Sequence, residues 1–127
     1  MLCDDVRQER NGKFILIGLF DVINASQLPL VFPRMCLVTR WCNGEGEYHQ
    51  TSRLLKPDQK TVIAQGQTIP VKLSGMEAIV TNIEFFINIT FTEPGVHWIE
   101  ALLDKDLIIR FPLRVAPTPP PAGRPQG

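Results

Sequence analysis

The chain of 127 residues carries no surplus of charge: thirteen Lys and Arg balance thirteen Asp and Glu, and the isoelectric point is about 6.7. Without a positive excess there is no field to draw in phosphate backbones or anionic lipid heads, so no nucleic-acid and no membrane partner is expected. Long apolar runs are missing too. FILIGLF at 14–20 and CLV at 36–38 fall far short of the roughly 20 residues that cross a bilayer as a helix. The amino terminus, MLCDD, has no positive stretch leading into an apolar one, so no secretory signal is read there and a cytoplasmic location is expected. The tripeptides Asn24-Ala25-Ser26 and Asn88-Ile89-Thr90 are then chance matches to the glycosylation pattern.

Cysteine is scarce. Cys3, Cys36 and Cys42 are odd in number and show no CxxC spacing. Cys36 and Cys42 lie along what reads as one strand, and at about 3.3 Å per residue they are too distant to bridge. Three reduced thiols are expected rather than a disulfide framework.

Catalytic constellations are equally thin. His49 and His97 are the only histidines, and each reads as a surface or boundary residue. Cys36 or Cys42 could meet His49 if the flanking strands are neighbours, but no third orienting group and no oxyanion motif accompanies them. Asn43-Gly44-Glu45-Gly46 lacks the GxGxxG pattern and the strand-to-helix setting of a phosphate cradle, so it is a turn. Asp4, Asp5, Asp104 and Asp106 invite a calcium reading through loop carboxylates. Alternation sends Asp4 and Asp5 to opposite faces, and no EF-hand pattern occurs, so no metal site and no cofactor is assigned.

What the sequence has is strands. Asn11-Gly12 tolerates the positive φ of a tight hairpin, which predicts pairing of residues 3–10 with 13–20. A two-residue loop would set Val6 opposite Ile17, yet it would also place Arg10 against Lys13, and a loop a residue or two longer removes that repulsion. FILIGLF is apolar at both parities, which predicts a strand covered on both faces, with its charged partner near an edge. Pro29 and Pro33 bracket an extended crossing, and RMCLVTRWC and EYHQTSRLL follow on either side of the glycine turn. A turn at Pro57-Asp58 and breaks at Gly66 and Ser74-Gly75 separate TVIAQ, IPVKL and the next strand. In IEFFINITF, Ile83, Phe85, Ile87, Ile89 and Phe91 share one parity, which predicts a half-buried strand. The same alternation marks Leu107, Ile109, Phe111, Leu113 and Val115 against Arg110 and Arg114, after a turn at Asp104-Lys105-Asp106.

About eight short strands and no convincing helix predict an all-β protein, an antiparallel β-sandwich or barrel. A single domain over residues 1–116 is expected, followed by a Pro-rich, disordered tail over 117–127 that holds five of the eleven prolines. FTEPGVHWIEALLDKDLIIRFPLRV resembles the closing hairpin of immunoglobulin-like sandwiches. The opening CDDVRQERNGKFILIGLF resembles the start of a family of small uncharacterised bacterial proteins, a domain of unknown function; that resemblance implies a bacterial, sandwich-like protein and carries no activity or site residue with it.

Phe86 breaks the polar parity of its strand, and Trp41 and Trp98 are of the type that anchors interfaces, although two tryptophans also suit a core. These three are the candidate interaction residues. The expected function is a non-catalytic protein-interaction or structural module that meets a protein partner, or itself, through a sheet face or edge strand. The alternative is a small-ligand or calcium-binding β-sandwich, or less favourably a thiol-dependent enzyme.

Overall fold

The computed structural model describes residues 1–118. Eight strands form one sheet: β1 (Leu2–Gln8), β2 (Phe14–Phe20), β3 (Val22–Ala25), β4 (Leu30–Leu55), β5 (Val62–Gln65), β6 (Ile69–Phe91), β7 (Gly95–Leu103) and β8 (Asp106–Pro117). The order runs β2-β1-β4-β7-β8-β3, with β5 and β6 also paired to β4. All pairs are antiparallel except β3 with β8. The two end strands of this path, β2 and β3, are joined through Asp21, whose carbonyl accepts a hydrogen bond from Arg114 N at 3.0 Å. The sheet therefore curls nearly into a barrel, which is closer to a closed form than to two separate sheets. β8 runs on to Pro117, which lies opposite Ala25. From residue 119 onward the expected disordered tail lies outside the described residues.

The opening hairpin forms, with a changed register. Val6 faces Leu16 and Gln8 faces Phe14, and Glu9 N donates to Lys13 O at 2.8 Å. A three-residue loop is the result: Gly12 N donates to Glu9 O, and Gly12 takes the left-handed conformation at φ 91°. The extra residue moves Arg10 away from Lys13 and meets the usual form of such loops, a turn closed by a left-handed residue.

β4 shows why one sheet can nearly close. Thr39 Oγ1 lies 3.1 Å from Gln50 Oε1, eleven residues along the same strand. A straight strand would hold residues that far apart at about 36 Å, so β4 must double back. The bend is at Asn43–Gly46, where Asn43 and Gly46 have φ of 58° and 132° and the ladder to β6 shifts register. Gly44 faces Gly75 across that ladder. The glycine turns expected at 43–46 and 74–75 are thus two sides of one bent ribbon. RMCLVTRWC and EYHQTSRLL do not pair with each other; each pairs with β6.

One main core draws on nearly every strand, including Leu2, Ile23, Leu37, Leu54, Phe86, Phe91, Ile99 and Leu113. A second cluster, around Trp41, Val71 and Leu73, fills the bent ribbon. Two expectations are corrected here. FILIGLF is an edge strand, exposed along most of its length, whereas its charged partner β1 sits between β2 and β4 and buries Leu2 and Cys3. In β6 the parity is reversed over its middle: Glu84 and Phe86 are buried while Phe85 and Ile87 are exposed. Asn88, at φ 52° and opposite Pro33, rotates the strand so that Ile89 and Phe91 return to the core. β8 has no such residue, and its expected inward set holds over the second half of the strand: Leu113 and Val115 are fully buried and Ile109 and Phe111 half-buried, whereas Leu107, beside the register shift next to the turn, is exposed.

Candidate interaction surface

The candidate surface begins at β2. This strand pairs with β1 along one edge and with no other strand among the described residues. Phe14, Ile15, Ile17 and Leu19 are each 42–59 % exposed. Open edges in folded proteins are ordinarily guarded by lysine, proline or strong twist. Phe14–Phe20 has no charge and no proline. Its one irregularity is Gly18 at φ 70°, where an added Cβ would stand 2.3 Å from Asp4 Oδ2. Only glycine permits both that backbone and the packing of Asp4 against it.

Beside β2 lies an apolar cleft of about 810 Å³, lined by Phe14, Leu16, Val38, Ile79, Ile109 and Phe111 among others. Leu16 and Val6 also pack on a small cluster of Cys3, Cys36 and Val38. Edge and cleft together make a continuous apolar region at one end of the sheet path. Lys13 and Arg40 are the charged residues that line the cleft; on β1, opposite Ile17, Asp5 accepts hydrogen bonds from Arg7 Nε at 3.1 Å and Arg34 Nη2 at 2.8 Å. The Arg7 hydrogen bond foremost, then the Val6 backbone N–H, hold the Asp5 carboxyl below the usual carboxylate range. Arg34 stacks on the ring of Phe85 at 4.6 Å, which leaves that exposed aromatic partly covered.

The candidates from sequence are distributed differently. Phe86 is a core residue, and Trp41 is buried with its Nε1 donating to Gln50 Oε1 at 2.8 Å. Trp98 is half-buried on β7, opposite Leu55 and Pro112. Phe86 and Trp41 therefore serve packing, and neither belongs to the exposed region. His97 is also corrected: it is 1 % exposed, with Nδ1 3.2 Å from Gly95 O and its ring edge-on to Phe91. Burial lowers its pKa, which favours the neutral ring, against the smaller raising effect of the Gly95 carbonyl. His49 is exposed beside Asp104, at 3.6 Å. Cys42 is exposed, Cys3 and Cys36 are buried, and all three are free thiols. His49, Cys42 and Tyr48 line neither this cleft nor the one between β5 and the Ile83–Ile89 part of β6. Asp104 and Asp106 flank the β7–β8 turn, and among the described residues no three His, Cys, Asp or Glu side chains gather as a metal would require.

Two buried carboxylates escaped sequence reasoning. Glu100 on β7 is fully buried on the face it shares with its cross-strand partners Arg53 and Arg110. Arg53 Nε donates to its Oε1 at 2.7 Å and Arg110 Nε to its Oε2 at 2.8 Å. Burial pushes its pKa up, but the hydrogen bonds from Arg110 and Arg53 together outweigh it and hold the carboxyl below its ordinary value. Glu84 is the opposite case. Its Oε2 accepts from Ser52 Oγ at 2.6 Å and Gln50 Nε2 at 3.1 Å, whereas Oε1 is buried with no partner. Desolvation raises its pKa despite those two hydrogen bonds. The alternation of Arg53, Glu100 and Arg110 on three separate strands leaves no local pattern, and Glu84 sits at a position whose neighbours suggested the wet face.

These features define an all-β protein built as one curled, nearly closed sheet with an unguarded apolar edge and a buried polar network. A family model described as a family of unknown function (DUF6941) matches residues 1–116, and the chain belongs to that family. No curated protein and no solved structure matches the chain. No helix among the described residues is long and apolar enough to cross a membrane.

Proposed function

We propose that the protein is a non-catalytic interaction module that pairs the open edge of β2 with an extended, apolar strand of a protein partner or of a second copy. The supporting observation is the edge itself: seven residues without charge or proline, four of them apolar and 42–59 % exposed. Backbone hydrogen bonds along the edge would supply affinity, and the side-chain pockets of the adjoining cleft would supply selectivity. An uncovered strand of this composition is an aggregation hazard, which a bound partner removes.

The test is sedimentation velocity and lysate capture of the wild type and Ile17→Lys. Residue 17 faces solvent and lies opposite Asp5, so a lysine there leaves the fold intact. Concentration-dependent association, or capture of a partner, that Ile17→Lys abolishes is the expected result. A wild type that stays monomeric and captures the same proteins as Ile17→Lys would overturn the proposal.

A further inference from the structure

The apolar cleft beside β2 lies where the curled sheet stops short of closing. Past the hydrogen bonds between Met1 and Val38, no described strand pairs with residues 39–42 of β4 on the side away from β6. On β8, β3 covers residues 114–117, and among the described residues the 107–111 part pairs with β7 alone. Thr39 and Arg40 from the first of these open edges and Ile109 and Phe111 from the second line the same cleft. The β1–β2 hairpin adds Lys13, Phe14 and Leu16 to the wall.

The mouths of curled sheets are common ligand sites, and a volume of about 810 Å³ lies within the roughly 300–1,000 Å³ usual for a small-molecule pocket. The lining is mainly apolar, and its charge has one sign. Lys13 and Arg40 are both exposed, no Asp or Glu lines the cleft, and among the described residues neither cation takes part in an ion pair. Thr81 faces Arg40 across the ladder and lines the cleft too, which places a hydroxyl on the face of the guanidinium. Because the whole chain is neutral, this positive character is local. One exposed cation contributes little, but two beside an apolar wall, with no acidic lining residue to offset them, decide the sign of the ligand.

We propose that this cleft binds a single-chain amphipathic anion, an alkyl carboxylate whose head group meets Lys13 and Arg40 and whose chain lies along Leu16, Val38, Ile109 and Phe111. A neutral alcohol gains only the apolar contacts, and an alkylammonium meets like charge. The ligand would fill space that a strand partner's side chains could enter, yet its binding needs no strand on the β2 edge. Ile17 lies outside the cleft, so Ile17→Lys, which removes the edge pairing, leaves this site intact and separates the two readings.

The test titrates octanoate, octanol and octylamine into isotope-labelled protein at pH 7 and low salt, following the methyl resonances of Leu16, Val38, Ile79 and Ile109. Saturable octanoate binding at least about threefold tighter than octanol, with octylamine weakest and the shifts at these methyls, is expected, and the preference should shrink at about 0.5 M salt. The double variant Lys13→Met, Arg40→Met alters two exposed side chains, and it should bring octanoate down to the affinity of octanol. Octanoate that prefers the protein by less than about threefold over octanol, that does not bind, or that shifts only methyls outside the cleft would overturn the proposal. Should the double variant fail to fold, the ranking of the three probes on the wild type and the location of the shifts decide the matter alone.

Discussion

Gln50 offers the sharpest test of how the bent sheet is held. Its Oε1 accepts from Thr39 Oγ1 at 3.1 Å, Trp41 Nε1 at 2.8 Å and Asn82 Nδ2 at 2.8 Å. Its Nε2 donates to Ser52 Oγ at 2.9 Å and Glu84 Oε2 at 3.1 Å. One side chain thereby ties both arms of β4 to β6. Gln50→Leu preserves the volume, so the cavity contribution is small. The indole N–H of Trp41 and the amide of Asn82 lose their acceptor inside the protein, at about 1–3 kcal/mol each. The Thr39 hydroxyl can turn, and Ser52 keeps its bond to Glu84. Relief from desolvating the Gln50 amide returns about 1–2 kcal/mol. A net loss centred near about 2–3 kcal/mol follows, a large part of a total stability of about 5–15 kcal/mol. With a urea dependence of about 1–3 kcal/mol per molar, the unfolding midpoint read by tryptophan fluorescence should fall by about 1–2 M. A fall below about 0.3 M with unchanged slope would show that the network contributes little and that the bend is held by apolar packing alone. Thr39→Val serves as the control, with an expected loss of less than about 1 kcal/mol because its hydroxyl is only one of three donors to Gln50.

Two further outcomes follow from the buried groups. Glu100 has a depressed pKa, so its contribution is present above the unfolded value near 4.5 and is lost as pH falls through the folded value. Glu100→Gln should cost about 1–2 kcal/mol at pH 7, discounted for the partial exposure of both arginines, and chemical denaturation should show the gap to wild type closing below about pH 4. A gap that is constant with pH would refute the arginine clamp. Glu84 has the opposite sign and, being present in both proteins, cancels in that difference. Among the thiols, Cys42 is exposed while burial raises the pKa of Cys3 and Cys36. A thiol reagent on native protein should therefore modify Cys42 rapidly and reach the other two only on unfolding; rapid modification of all three would contradict the Cys3–Cys36 cluster.

The all-β class, the opening and closing hairpins and the inward face of β8 from Ile109 onward were legible in the residues because each depends on local chemistry. Asn11-Gly12 can turn, Asp104-Lys105 can turn, and alternation in LIIRFPLRV matches the pleat. The phase of IEFFINITF was not legible. Its apolar alternation is real, but a left-handed Asn88 facing Pro33 shifts which side is buried, and that conformation is fixed by the bent partner strand. The breaks at 43–46 and 74–75 were visible as glycine, yet whether they end strands or bend them depends on what pairs across them. Gly44 faces Gly75, so the ladder continues.

The candidate site divides along the same line. Composition alone determined that FILIGLF is a strand with apolar residues on both faces. Only the tertiary structure decided that this strand ends the sheet path, so that the residues expected in the core stand in solvent. The buried polar network likewise joins residues far apart in the chain: Thr39, Gln50, Asn82 and Glu84 meet because β4 doubles back against β6. Local sequence sets which way a chain can turn and which residues prefer to leave water. Pairing across a curled sheet sets which of them succeed, and that information is spread over every strand at once.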